Sequence, residues 1–106
     1  MLMISGTPDT GAIPTALSLG RPMPNPFNPR ITISFNVDRQ GSVELDIYDL
    51  GGRCINNLVS QEFAVGRYSL PWDGRANSGS LMPAGVYLVR LKGESATDTQ
   101  KITLVK

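Results

Sequence analysis

The chain has no histidine, and Cys54 is its single cysteine in 106 residues. Without histidine, the commonest general base is missing, as is the usual partner of a serine or cysteine nucleophile. A lone cysteine excludes an internal disulfide, so the fold has to hold by packing alone. A dominant charge is also lacking: ten basic and nine acidic residues are scattered along the chain, for a net charge of +1. No run of lysine or arginine exists to follow a phosphate backbone, which argues against nucleic acid as a partner. No apolar run approaches the roughly 20 residues of a membrane-spanning helix. The opening Met1-Leu2-Met3-Ile4 is apolar but far too short for the core of a signal peptide, so a removed signal or a longer parent protein is expected.

What is abundant is punctuation. Eleven glycines and eight prolines cluster between apolar runs, as in an all-β chain that turns often. With 41% hydrophobic residues and a mean hydropathy of −0.08, the composition is that of one ordinary globular domain. Residues 1–15, broken by Gly6, Pro8, Gly11 and Pro14, read as an extended tail or linker, and residues 16–106 as the domain. Ala16-Leu17-Ser18-Leu19 suggests a short first strand. Pro24-Asn25-Pro26-Phe27-Asn28-Pro29 can form no helix, because each proline lacks an N–H and holds its predecessor extended. It is a stiff ramp with one aromatic, Phe27, free to plug into a core.

Ile31 to Val37 alternates apolar and polar, as does Ser42 to Tyr48, and period two marks half-buried strands. Gly51-Gly52 turns the chain into a short strand carrying Cys54, Ile55 and Leu58. Tyr68, Leu70 and Trp72 share one face, and Asp73 to Pro83 is a polar loop. Val86 to Leu91 is apolar on both sides except at Arg90, which predicts a central strand, and Ile102 to Val105 is the last. Turn signals every 8–12 residues or so, with about seven strands, predict an immunoglobulin-like (fibronectin III-like) β-sandwich. Phe27, Phe35, Tyr68, Trp72 and Tyr87 are its expected core aromatics.

The order of these features resembles a known family. The chain is similar to the C-terminal sorting domains of type IX (Por) secretion cargo, and to the immunoglobulin-like domain of the flagellar hook-capping family. The likeness rests on Asn25, Pro26, Phe27, Asn28 and Pro29 of the ramp, and on Asp49, Gly52 and Arg53 at a turn. It continues through Trp72-Asp73-Gly74 and its loop, Gly85-Val86-Tyr87, and the closing strand from Lys101. Met23 stands where an aromatic usually precedes the ramp. The resemblance implies a non-catalytic, extracellular module, usually the last domain of a longer secreted protein, that is read by a secretion machinery and either cleaved or anchored at the cell surface.

Three sharper possibilities lose to plain ones. Glu44 and Asp46 form a carboxylate pair, but alternation places both on the solvent face of one strand, with no cleft. Asp73 to Gly79 has a faint calcium-loop flavour, yet it carries one carboxylate with Arg75 in its middle, so a turn is expected and no metal. Trp72 is phased with the core rather than with a sugar-stacking surface. Arg53 is expected either to be recognised by a sorting machinery or to pair with Asp49 across the turn. No enzyme activity and no cofactor are expected, and the partners expected are proteins. An alternative is a subunit of an extracellular filament, built by adding the N-terminal tail to an open strand edge of a neighbouring copy.

Overall fold

The computed structural model describes residues 5–7, 16–94 and 96–105; the other positions of the expected 1–15 tail lie outside the described residues. Eight strands follow in order: β1 (Ser5–Thr7), β2 (Ser18–Leu19), β3 (Ile31–Val37), β4 (Gly41–Asp49), β5 (Cys54–Phe63), β6 (Gly66–Trp72), β7 (Gly85–Lys92) and β8 (Thr97–Leu104). They form two four-stranded sheets, ordered β1-β6-β3-β2 and β5-β4-β7-β8. Every strand pairing is antiparallel. This is the expected immunoglobulin-like all-β sandwich.

Alternation explains the core. Ile31, Ile33, Phe35 and Val37 of β3 are all buried, and so are their partners across the register, Trp72 and Leu70. From the opposite sheet, Val43, Leu45 and Ile47 of β4 meet Tyr87, Val89 and Leu91 of β7, with Ile102 and Leu104 of β8 behind them. The aromatics gather in two groups. Phe27 and Tyr87 flank Trp72 with ring centroids 5.6 and 5.8 Å away. Phe35, Phe63 and Tyr68 meet at 4.8–5.6 Å at the other. Such pairs add about 0.5–1.5 kcal/mol each beyond the area they bury.

Two strands differ from the sequence reading. β5 is ten residues long rather than short, because two register shifts against β4 conceal its period. Each bulge adds one residue to β5, so Ile55, Leu58 and Val59 all turn inward although their spacing fits no alternation. Phe63, at its end, is a core aromatic hidden behind the polar run Ser60-Gln61-Glu62. β8 starts at Thr97, five residues before the apolar pair that marks it in the sequence, because an edge strand can be polar on its outer side.

The expected central strand is central: β7 lies between β4 and β8. Tyr68 is half-buried rather than enclosed, and its hydroxyl donates to the Ala64 carbonyl at 2.8 Å.

Candidate interaction surface

The ramp is seated on the free edge of β8. The Asn25 side chain imitates a strand, its Nδ2 donating to the Lys101 carbonyl at 3.2 Å and its Oδ1 accepting from the Thr103 N–H at 3.0 Å. Two residues on, the Phe27 N–H donates to the Thr103 carbonyl, and the Val105 N–H donates to the Phe27 carbonyl, at 2.9 and 2.8 Å. Phe27 is thereby fixed as a plug, 1% exposed, against Trp72. Asn28 and Pro29 are exposed, and the Pro29 carbonyl lies 3.4 Å from where a Cβ on Gly74 would sit. Pro26 is exposed at the bend between Asn25 and Phe27. Further up, Asp98 Oδ2 accepts from the Leu19 N–H at 2.8 Å and Oδ1 from the Thr99 N–H at 3.0 Å. An edge strand with unpaired backbone groups invites pairing with other chains. Here most of that edge is closed by the chain itself.

The turn between β4 and β5 is built by Asp49. Its Oδ1 accepts from the Arg53 N–H at 2.9 Å, its N–H donates to the Arg53 carbonyl, and its carbonyl accepts from the Gly52 N–H. The contact joining Asp49 and Arg53 thus runs through the Arg53 backbone. Gly52 has φ +90°, a conformation that costs other residues a Cβ clash.

The Trp72-Asp73-Gly74 loop clamps the start of β5. Trp72 Nε1 and Asn56 Nδ2 both donate to the Arg75 carbonyl, at 2.8 and 2.7 Å. The Asn77 N–H donates to the Ile55 carbonyl, and Asn77 Oδ1 accepts from the Asn57 N–H. Asp73 accepts from the Arg75 N–H, its second oxygen lies 3.6 Å from Arg75 Nε, and an Arg75 amino group donates to the Gly79 carbonyl. The carboxylate therefore faces a guanidinium. Among the described residues no group of three or more potential ligands gathers. Gly74 is buried with φ +79°. Gly85 opens β7, and the Tyr87 hydroxyl donates to the Pro83 carbonyl at 2.5 Å, pinning the loop's far end. Burial, then the nearby Asp49 carboxylate, raises the Tyr87 pKa.

Asp46 is not a solvent-facing carboxylate. It lies on the outer side of its sheet, as alternation requires, yet is 4% exposed, because Asn57 of β5 and Arg90 of β7 close over it from the two neighbouring strands. Asn57 Nδ2 donates to its Oδ1, and the Arg90 guanidinium is 3.9 Å from its Oδ2. Arg90 also donates to the Tyr48 hydroxyl and lies 4.5 Å from that ring's centroid. The sequence does not show this enclosure, since Asn57 and Arg90 lie 11 and 44 positions along the chain from Asp46. Burial, then Asp46, raises the pKa values of Tyr48 and Cys54, with Arg90 opposing. A thiol held protonated is a poor nucleophile. The groups neutralise one another across the sheet face, although the Arg90 Nε–H is buried without a hydrogen-bond partner among the described residues.

Comparison with known proteins gives the same fold. The family model described as "FlgD Ig-like domain" matches residues 28–97. Dimeric latent PorU from Porphyromonas gingivalis superposes with a TM-score of 0.72 at 23% identity, over 90% of this chain and 10% of that one. FLGD from P. aeruginosa superposes at 0.55 with 26% identity, over 70% of this chain and 57% of that one. PorZ, described as a surface component of the type-IX secretion system of Porphyromonas gingivalis, superposes at 0.56 with 20% identity, over 85% of this chain and 11% of its own. The chain thus spans a small part of PorU and PorZ and little more than half of FLGD. No curated protein matches it.

Proposed function

The chain belongs to the FlgD Ig-like domain family, and from that premise we propose that it is a non-catalytic module for secretion or surface attachment, read by proteins outside the cell membrane. The observation that carries this is how the motif residues are used. Asn25, Phe27, Asp49, Trp72, Asp73 and Tyr87 close turns, plug the core or cover backbone edges. These are structural roles, so what the domain offers a partner is its outline of loops and strand edges. The likeness in fold to PorU and PorZ, the latter a type-IX surface component, supports the same reading.

The test is export of a reporter. The full chain is fused behind a secreted fluorescent protein in a host with a type IX system. Signal on the cell surface in that host, and its loss in a secretion-deficient strain, is the expected outcome. A reporter held in the periplasm of the competent host refutes the sorting role.

The filament alternative takes second place for a specific reason. Ser5–Thr7 does add to a sandwich edge, but to β6 of its own chain, with Ser5 opposite Ser69 and Thr7 opposite Arg67. A donated tail would first have to displace it.

A further inference from the structure

Among the described residues four strands, β1, β2, β5 and β8, lie at sheet edges, and the molecule treats them unequally. β8 is closed by Asn25, Phe27 and Asp98. β6 would be an edge but for β1, and β2 is two residues long. The first part of β5 is clamped by Asn77 at Ile55 and Asn57. From Val59 to Phe63, β5 is the outermost strand of its sheet, with no neighbouring strand on its free side among the described residues. That run has no proline and no lysine, the usual devices for blunting an edge, and both bulges lie before it.

We infer that this run, Val59-Ser60-Gln61-Glu62-Phe63, is a docking edge for the same run of a second copy, paired antiparallel about Gln61. The sequence is self-complementary in that register alone. By their pairing with Leu45, Val43 and Gly41, Val59, Gln61 and Phe63 share the core-facing side, while Ser60 and Glu62 lie on the other. Pairing about Gln61 sets Val59 against Phe63, Gln61 against its own amide, and Ser60 against Glu62. Apolar meets apolar, amide meets amide, and hydroxyl meets carboxylate. A register centred on Glu62 would oppose two carboxylates, which is unfavourable in a strand pair. Ser60, Gln61 and Glu62 are all exposed and free to be approached. The result is an isologous two-fold dimer in which two four-stranded sheets continue into one of eight. Five residues per chain make a small interface, so the association is of the weak, transient class.

Sedimentation of the full chain, from about 10 μM to about 1 mM, reads this directly. The native chain is expected to show a concentration-dependent monomer–dimer equilibrium. Gln61→Lys and Gln61→Glu each place like charges face to face at the two-fold axis, and each is expected to weaken dimerisation at least about tenfold. Gln61 is exposed, so thermal melts of the two variants stay within a few degrees of the native chain. Mixing the two variants restores association as a heterodimer, because lysine then faces glutamate. A native chain that is monomeric throughout, a dimer indifferent to either charge, or a mixture that stays monomeric overturns the inference. So does a dimer that is abolished by deleting residues 1–15 but retained in Gln61→Lys, which would assign association to tail exchange. Export of the reporter plays no part in the measurement, so failure of the secretion reading leaves this result interpretable.

Discussion

Asn25 offers the sharpest check on how the ramp works. Its side chain makes two hydrogen bonds to β8, one as donor to the Lys101 carbonyl and one as acceptor from the Thr103 N–H. Replacing it with alanine returns both backbone groups to water. Each bond is solvent-exposed, so each contributes about 0.5–1 kcal/mol net rather than the larger value of a buried bond. The expected loss is therefore about 1–2 kcal/mol, or roughly 4–16 °C in Tm for a domain of this size. Urea unfolding should show the midpoint falling with an unchanged slope, because the core and its buried area are untouched. Hydrogen exchange localises the effect: the Thr103 amide should lose protection, while Val105, held by the Phe27 carbonyl, should keep most of its own. Asn25→Asp separates the two bonds. It retains the acceptor for Thr103 and loses the donor to Lys101, so Thr103 stays protected while stability falls. If Asn25→Ala leaves both Tm and Thr103 exchange unchanged, the ramp does not hold the β8 edge and the account of the motif is wrong.

Phe27→Ala removes a buried ring packed on Trp72 and should cost about 3–5 kcal/mol by chemical denaturation; a loss under about 1 kcal/mol would mean the ring is not a core element. Arg90→Leu strands the buried Asp46 carboxylate, whereas Asp46→Leu with Arg90→Leu removes both charges. The single variant should melt below the double, although Arg90 is 36% exposed and water softens the difference; the reverse order would show that Asp46 does not depend on Arg90. Burial and Asp46 raise the Cys54 pKa above its ordinary 9.0, so alkylation by iodoacetamide should climb only at alkaline pH, and earlier in Asp46→Asn. A native thiol titrating below the ordinary range would refute that environment. The raised Tyr48 and Tyr87 values have a sign of their own. The folded state holds these protons more tightly than the unfolded chain, so their contribution is fully present below pH 10.0 and is lost as pH rises through the folded values. Stability measured across that window should decline; a rise would contradict the tighter proton binding of both phenols in the folded state.

The strands that were legible in the sequence are those whose two faces differ. Ile31 to Val37 and Ser42 to Tyr48 each meet core on one side and solvent or a polar layer on the other, so period two is written into their residue types. The ramp was legible for a different reason, since proline forbids the alternatives whatever surrounds it. The length of β5 is not legible in the sequence because a bulge shifts the phase of every residue after it, which breaks the period. The Asp73 loop illustrates a middle case. Its turn character is local and readable, but its partners, Asn56 and Asn57, lie on a strand that proximity in sequence does not suggest.

Local chemistry alone therefore determined the fold class, the turn positions, most of the core and the absence of histidine-based catalysis, because backbone restriction and alternation act over a few residues. Tertiary structure decided which carboxylate is buried, which edges are closed and which is left open. Asp46 and Glu44 are equivalent two residues apart on one strand, yet Asn57 and Arg90 enclose Asp46 while Glu44 remains half-exposed. Such differences depend on which strand stands beside which, and that is fixed when the sheets assemble around a shared core rather than by any one segment of the chain.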